Sequence, residues 1–287
     1  MFFCINLFKK NNNDNNPLPS PTLLPSPTPT NTIINMWSDL KPIELSKIKT
    51  YAFPETKYFH NEYNKTQVVL HHTISGPGID GDIETWIKGK YNVGTSIIVD
   101  RFGIPWQIFS SKYWAYHLGS GNHSLDKHSI GIEIDNWGGL VLGDGENKMF
   151  NGKWVTTIPG KYYAYYGNVV NVMDIQEYPE GYRGYNYFEK YTTEQIKTVG
   201  ELLLFWKNKY NIPLYKNPAM FNISQDALGG KPGVWSHTSY RTDKSDIHPQ
   251  PEMIEMLNTI STDEMPVSFK LKRRWFNWER KKGYDVA

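Results

Sequence analysis

An apolar run that ends in two histidines constrains the fold of this chain more than any other feature. Val68, Val69 and Leu70 are followed directly by His71 and His72. A short apolar run of this kind is typical of a strand buried inside a sheet. Because successive side chains of a strand point to opposite faces, only one of the two imidazoles can face a given pocket. We therefore expect a buried strand that carries one histidine into a site, while the other packs or reaches solvent.

Other strands are predicted nearby in the chain. Residues 95–99 and 105–109 flank a glycine-containing turn at 100–103, which predicts a β-hairpin. Residues 129–135 alternate strictly, with isoleucines on one face and Glu133 on the other. These segments and the histidine strand together predict a sheet.

Helices are predicted from their start signals. Thr192 and Gln195 have the spacing of a capping box, and the apolar residues that follow predict a helix to about Tyr210. Pro251 is suited to open a last helix, and a short helix is expected over residues 82–87.

Composition divides the chain into three parts. Residues 1–36 are rich in Asn, Pro and Thr, a composition that buries no core and predicts a disordered linker. Residues 37–262 have the patterns of a folded domain, which we expect to begin between Trp37 and Tyr51. Residues 263–287 form a basic tail.

One region inside the folded part is weakly periodic. Residues 140–189 are rich in Gly and Tyr, and they predict an elaborated loop region with short strands around Trp154 and residues 169–170.

Charge and composition exclude several classes of protein. The net charge of +2 does not support a general nucleic-acid surface. A single cysteine rules out an intramolecular disulfide and a cysteine zinc site. No apolar run reaches the ~20 residues of a membrane span. Residues 1–10 run from apolar to basic, the reverse of a secretory signal, so we expect no export signal and production in the cytoplasm.

A second cluster of ligand-type residues lies far downstream. His237, Lys244 and Asp246 form the pattern His-x6-Lys-x-Asp. Zinc is bound by imidazole nitrogens and carboxylate oxygens, and a catalytic site leaves one position open. His71, His237 and Asp246 would make such a three-ligand site, in which zinc activates water near neutral pH.

Alternatives to this ligand set stay open. Asp243 and His248 have the same ligand chemistry as Asp246. The cluster could also be a polar loop before a helix, with carboxyl and hydroxyl groups that bond only to nearby backbone.

Glu133 and Lys244 are the candidates for acid–base chemistry. A carboxylate among isoleucines must be paired, hydrated or functional, because burying it without compensation is costly. Glu133 is therefore a candidate general base and then general acid, with a salt bridge or a solvent-facing side chain as alternatives. Lys244 could stabilise a developing oxyanion or be a surface lysine. His117 could be a ligand, a substrate contact or a surface histidine, and the neighbouring Trp114 and Tyr116 favour a pocket wall.

These motifs together resemble a known family. Residues 69–73, 114–119 and 129–133 and the His-x6-Lys-x-Asp cluster occur in the order found in zinc-dependent N-acetylmuramoyl-L-alanine amidases of type 2. This family includes AmpD-type enzymes, peptidoglycan recognition proteins and phage amidase endolysins. The resemblance covers roughly residues 50–260.

The resemblance implies a fold and an activity. The fold is a single α/β domain with a central mixed β-sheet flanked by helices and a zinc-floored substrate groove. The activity is hydrolysis of the amide between N-acetylmuramic acid and L-alanine in peptidoglycan, with Zn²⁺ as cofactor and a monomer as the expected state. A muropeptide-binding module without activity and a cytoplasmic muropeptide-recycling amidase are the alternatives.

The resemblance also implies roles for single residues. His71, His237 and Asp246 match the metal ligands, although the chain after Asp246 departs from the Pro-Gly of the family and keeps His248 open as a ligand. The matching positions imply that Glu133 and Lys244 are catalytic.

Substrate contacts are the remaining expectation from the resemblance. Thr95 stands where other members have a tyrosine, and it is expected to contact substrate together with Trp114 and His117. The aromatic insert at about residues 140–190 could shape the groove and stack on sugars.

Overall fold

A six-stranded mixed sheet forms the centre of the protein. The computed structural model describes residues 36–170 and 175–263. The predicted linker up to residue 35 and the basic tail from residue 264 lie outside the described residues, so their predicted character stays a prediction.

The elements have the following bounds. The strands are β1 (Lys49–Thr50), β2 (Gln67–His72), β3 (Ile97–Val99), β4 (Pro105–Gln107), β5 (Ser129–Ile134), β6 (Gly139–Leu142), β7 (Asn147–Phe150), β8 (Lys153–Thr156), β9 (Tyr162–Tyr163), β10 (Val169–Val170), β11 (Ile175–Tyr182), β12 (Tyr185–Glu189) and β13 (Gly233–Ser236). The helices are α1 (Asp80–Lys88), α2 (His123–His128), α3 (Thr193–Tyr210), α4 (Gln225–Leu228) and α5 (Pro251–Ile260).

The strand order of the central sheet is β1-β4-β3-β5-β2-β13. Strand β2 pairs in parallel with β5 on one side and with β13 on the other. Strands β3 and β4 form the predicted antiparallel hairpin, and β3 pairs in parallel with β5. The predicted buried strand is confirmed, because all six residues of β2 are buried. The carboxyl ends of β2, β5 and β13 therefore lie at one edge of the sheet, where α/β folds form their ligand crevices.

Helices α3 and α5 pack together beside the sheet, in one hydrophobic core with β2 and β5. Helix α3 begins with the predicted capping box, in which the Thr192 side chain accepts from the backbone N–H of Gln195. It ends before Asn211, whose left-handed backbone forms the C-cap. Trp206 of α3 is among the largest fully buried side chains. Burial of one large apolar side chain contributes about 1.5–3 kcal/mol, which exceeds the differences of up to about 0.7 kcal/mol in helix propensity among residues other than glycine and proline. The mixed α/β fold expected from the sequence is confirmed.

The insert between β5 and α3 contains a second sheet. Strands β6, β9, β10, β11 and β12 form an antiparallel five-stranded sheet, and β7 pairs with β8 in a separate hairpin. The prediction of an elaborated loop region was therefore wrong, although the strands expected at Trp154 and at residues 169–170 are present. The pattern was weak because strands such as β11 have only exposed and half-buried residues, so no apolar alternation marks them.

Ionic contacts fasten the insert to the central sheet. The guanidinium of Arg101, next to β3, pairs with Glu189 of β12, and its Nε lies 3.5 Å from Oδ1 of Asp135. The amide of Asn136 donates to the backbone carbonyl of Glu189. The insert thereby starts and ends next to the edge where β5 ends. Within the described residues, no helix has the length and apolar character that crossing a membrane requires.

Candidate metal centre and catalytic cleft

The register of two parallel strands brings His71 and His237 together. Leu70 of β2 lies opposite Ser236 of β13; His71 is the next residue of β2, and His237 directly follows the end of β13. Because the two strands are parallel, these next residues lie at the same edge of the sheet, and the two imidazoles meet, with 3.0 Å between their Nδ1 atoms. His72 points to the other face and bonds to the hydroxyl of Tyr191 through its Nδ1, as strand alternation predicted.

Asp246 completes a cluster of three buried donor groups. Its Oδ2 lies 2.9 Å from Nδ1 of His237 and 3.3 Å from Nδ1 of His71. The backbone carbonyl of Asp246 accepts a hydrogen bond from the N–H of Thr238 at 3.0 Å, which ties the two ends of the loop together. Among the described residues, this is the group of histidine and carboxylate side chains that could hold a metal ion.

The donor set fits a zinc ion. With ligand bonds of about 2.0–2.1 Å, the edges of a tetrahedral zinc site are ~3.3 Å long. The three donor–donor distances of 2.9–3.3 Å approach this edge length. The Nε2 of His237 lies 2.9 Å from the carbonyl oxygen of Leu118 and donates its proton there. The lone pair of Nδ1 is therefore left for the metal position.

A hydrogen-bond chain orients His71 in the same way. The hydroxyl of Ser129 donates to the carbonyl of Leu125 at 2.7 Å, so its oxygen is left to accept from Nε2 of His117 at 2.8 Å. The Nδ1 of His117 is then an acceptor, and it takes the proton of Nε2 of His71 at 3.0 Å. This assignment follows from the network of donors and acceptors. It places the lone pair of His71 Nδ1 toward His237 and Asp246.

Burial and neighbouring groups hold His71 and Asp246 in the states that zinc binding requires. Burial, followed by the neighbouring His237, lowers the pKa of His71 to about 4, so its imidazole is neutral near pH 7. Burial alone would raise the pKa of Asp246, but the neighbouring imidazoles of His237 and His71 hold it well below its usual range. Neutral imidazoles and an ionised carboxylate are the forms that bind metal.

Glu133 lies beside the candidate metal centre. In the parallel pairing of β2 with β5, Glu133 is the residue opposite His71, and its side chain stays partly exposed in the cleft. Burial, then the carboxylates of Asp246 and Asp82, raise the pKa of Glu133 well above its ordinary value, against the effect of Lys244. A carboxylate with such a pKa accepts a proton more readily than an exposed one.

The cleft around these groups has a volume of about 290 Å³. Of the residues assigned from the sequence, Thr95, His117, Glu133 and Lys244 line it together with the three ligand-type residues. Thr95 is buried, and its hydroxyl donates to the carbonyl of Ile97, so it shapes the wall.

Several residues that line the cleft were missed by the sequence analysis. Among them are Asp82, Trp86, Tyr165, Tyr166 and Arg241. Burial raises the pKa of Asp82 to about 7, although the hydroxyl of Ser75 donates to it at 2.8 Å. The aromatic composition of the insert was the only signal for Tyr165 and Tyr166, and it did not indicate which tyrosines reach the cleft.

Trp114 does not occupy the place that the sequence analysis assigned to it. It was expected in a pocket wall, but its ring stacks on Phe59 at 4.0 Å between centroids, and it is not among the described residues that line the cleft. The cause is backbone pairing, because residues 59 and 114 form a β-bridge that sets the two rings side by side. Tyr116, two residues further along, lines the cleft instead.

The alternative ligands are held elsewhere. The imidazole of His248 stacks between Phe188 and Tyr191, at 4.7 and 4.6 Å between centroids. Its Nδ1 bonds to the hydroxyl of Tyr178 and its Nε2 to the carbonyl of Glu189, so both nitrogens are engaged at the junction with the insert. Asp243 pairs with Arg241 through two hydrogen bonds. The structure thus brings Asp246 to the two imidazoles.

Comparison with known proteins identifies the family. The model of the N-acetylmuramoyl-L-alanine amidase family matches residues 62–251, more than half of the chain. No curated protein matches.

Matches among solved structures include PlyL, with 13% identity, a TM-score of 0.43 and coverage of 74% of this chain and 96% of that chain. The endolysin N-acetylmuramoyl-L-alanine amidase LysCS from Clostridium intestinale URNW has 13% identity, a TM-score of 0.37 and coverage of 71% and 88%. A selenomethionine derivative of AmpD has 13% identity, a TM-score of 0.39 and coverage of 76% and 98%. On the family match, the chain belongs to the N-acetylmuramoyl-L-alanine amidases, as its motifs predicted.

Proposed function

We propose that this protein hydrolyses the amide between N-acetylmuramic acid and L-alanine in peptidoglycan, with zinc held by His71, His237 and Asp246. The observation that carries the proposal is the convergence of three buried donor atoms beside Glu133, in a cleft of a chain that belongs to the amidase family. The hydrogen bonds of both imidazoles support it, because they leave the Nδ1 lone pairs directed at one point.

When bound at this point, zinc supplies Lewis-acid activation of water and of the amide carbonyl. We assign to Glu133, which lines the cleft, the role of accepting the proton of the attacking water and returning it to the leaving nitrogen. A raised pKa suits both halves of this role, because the same carboxyl must hold the proton between the two steps. General acid–base catalysis of this kind contributes about 10²–10⁴-fold to a rate.

Lys244, two residues before Asp246, contributes a positive charge to the cleft. Its side chain lines the cleft and is close enough to influence the pKa values of Glu133 and His71. We assign it to the negative charge that develops on the carbonyl oxygen, where a preorganised cation lowers the barrier.

The catalytic domain proposed here is residues 37–262, flanked by the Asn/Pro/Thr-rich segment and the basic tail. Trp37 is already part of the main hydrophobic core, and Ile260 at the end of α5 belongs to the same core. The packing of both residues in one core supports these bounds.

The test is digestion by the zinc-loaded full-length protein of purified sacculi and, separately, of a soluble anhydro-muropeptide. Mass spectrometry should detect free stem peptide that begins with L-alanine, and the product should disappear after removal of the metal by a chelator. Cleavage of sacculi would indicate a lytic or remodelling enzyme, and cleavage of the fragment alone a recycling enzyme. Binding of muropeptide without any product would contradict the proposal and favour the binding module.

A further inference from the structure

We propose that a hairpin tip of the insert, carrying Tyr165 and Tyr166, is a saccharide-binding wall of the cleft. This inference rests on the proposed function, because it assigns the glycan part of the same substrate. It gives the insert a role in substrate recognition.

Local structure places both tyrosines at the tip. Strands β9 and β10 pair in antiparallel fashion, with Tyr163 opposite Val169. The N–H of Gly167 donates to the carbonyl of Ala164 at 2.9 Å, which closes a turn with Tyr165 and Tyr166 at its two central positions. Gly167 has a φ of +82°, a conformation that costs glycine little.

The second hairpin of the insert supports this tip from behind. A Cβ added to Gly167 would lie 3.1 Å from a methyl group of Val155 and 3.2 Å from Cβ of Phe150, so the turn rests directly on β7 and β8. The ring of Phe150 also stacks on Tyr163 of β9, with 5.4 Å between centroids. The tip is therefore held by packing before any ligand binds, which reduces the entropy lost on binding.

The two tyrosines reach the reaction site. Tyr165 and Tyr166 line the same cleft as Glu133 and the three metal-ligand candidates. Their rings meet edge to face, with 5.1 Å between centroids and 79° between planes, and Tyr166 keeps 46% of its surface exposed. Two rings at this angle present an apolar corner with a hydroxyl on each ring.

The chemistry of the tip favours a sugar over the stem peptide. Residues 164–168 carry no charge. An N-acetylated sugar ring likewise has an uncharged apolar face bordered by hydroxyl groups, and amphipathic rings suit such a surface. Charged side chains of the cleft, among them Lys244, Arg241 and Asp82, come from other segments, and these suit the charged groups of a peptide.

Binding of a neutral disaccharide tests the proposal without requiring catalysis. N,N′-diacetylchitobiose has the N-acetylated rings of the glycan and no amide that the enzyme would cleave. We expect it to bind the full-length protein in calorimetry at millimolar concentrations, and the double variant Tyr165→Ala/Tyr166→Ala to bind it about tenfold more weakly, as for a well-packed aromatic contact. Tyr165→Phe/Tyr166→Phe should retain most of the affinity, because the ring faces remain.

Trp154→Ala is the matched control. Trp154 lies in the same insert and is 68% exposed, but it is not among the described residues that line the cleft. Its loss should leave disaccharide binding unchanged. In digestion of sacculi, the double alanine variant should raise KM with little change in kcat, since the tip contacts substrate away from the reacting bond.

The outcomes separate this inference from the proposed function. Disaccharide binding that depends on the tyrosines, in a protein that releases no stem peptide, would contradict the amidase activity and leave the saccharide wall standing. Two results would overturn the saccharide wall alone, in a wild-type protein that does release stem peptide. One is that the disaccharide does not bind; the other is that the double alanine variant has the same disaccharide affinity and the same KM as the wild type. Thermal denaturation of each variant verifies that the fold is retained.

Discussion

The hydrogen bond from His71 to His117 makes the structure testable through zinc affinity. In the variant His117→Ala, the Nε2 proton of His71 loses its acceptor at 3.0 Å. The proton is then better placed on Nδ1, where Oδ2 of Asp246 lies within 3.3 Å and can accept it. Zinc must displace that proton from the atom that should bind the metal, so we expect weaker zinc binding.

The magnitude follows from two independent routes. A buried donor without a partner costs about 1–3 kcal/mol. Loss of a side chain that orients a metal ligand typically weakens binding by about 10–100-fold. Since a factor of ten in affinity corresponds to about 1.4 kcal/mol, the two ranges agree. We therefore expect the Kd for zinc to rise by about one to two orders of magnitude in His117→Ala.

The assay is competition for zinc with a fluorescent chelator near neutral pH. His117→Asn should bind more tightly than His117→Ala, because an amide oxygen can stand near the position of Nδ1 and accept the same proton. His60→Ala is the control, since His60 is exposed and is not among the described residues that line the cleft. Thermal denaturation of the metal-free variants checks the fold. A His117→Ala protein that binds zinc as tightly as wild type would refute the orienting role of His117.

Three further predictions follow from the site. Glu133→Gln should retain zinc, measured by metal analysis, and lower the rate of stem-peptide release by about two to four orders of magnitude; an unchanged rate would remove Glu133 from the mechanism. His248→Phe should bind zinc like wild type, because the ring stacks remain; a large loss of affinity would restore His248 as a ligand. For Asp82, burial raises the pKa from the ordinary value of 3.8 to about 7. Between pH ~4 and pH ~7 the native state therefore binds more protons than the unfolded state, and the free energy of unfolding falls as the pH rises. The side chain introduced in Asp82→Asn does not titrate, so only the wild type loses this stability. The melting temperature of Asp82→Asn minus that of the wild type should therefore increase between pH ~4 and pH ~7, and the same difference at both pH values would contradict this pKa.

Local patterns account for the elements that sequence analysis located correctly. The capping box at Thr192 satisfies backbone donors within one helical turn, so it acts wherever the helix packs. The continuous apolar run of β2 indicates a strand buried on both faces, and the alternation of β5 indicates a strand with one apolar face. Both patterns lie within a single strand, so they can be read from the sequence. The ligand-type residues could be proposed because their chemistry and their motifs are visible in the chain.

Contacts between distant segments account for what the sequence analysis missed. The second sheet was not anticipated, because strands such as β11 have no buried residue to mark them and each strand depends on its neighbours for hydrogen bonds. Trp114 was misplaced because the pairing with Phe59, which turns its ring away from the cleft, joins segments far apart in the chain. Tyr165 and Tyr166 were missed because a hairpin tip reaches the cleft only through the way the insert folds.

The amino-acid sequence by itself determined the types of element, the family and the residues chemically able to bind zinc. Only the tertiary structure decided which atoms meet: the Nδ1 atoms of His71 and His237 with Asp246, with His248 retained between two aromatic rings. The physical reason is the separation along the sequence over which each kind of interaction acts. Periodicity and caps act over a few residues, whereas a donor set spanning 166 positions between its two histidines is created by strand register and side-chain packing.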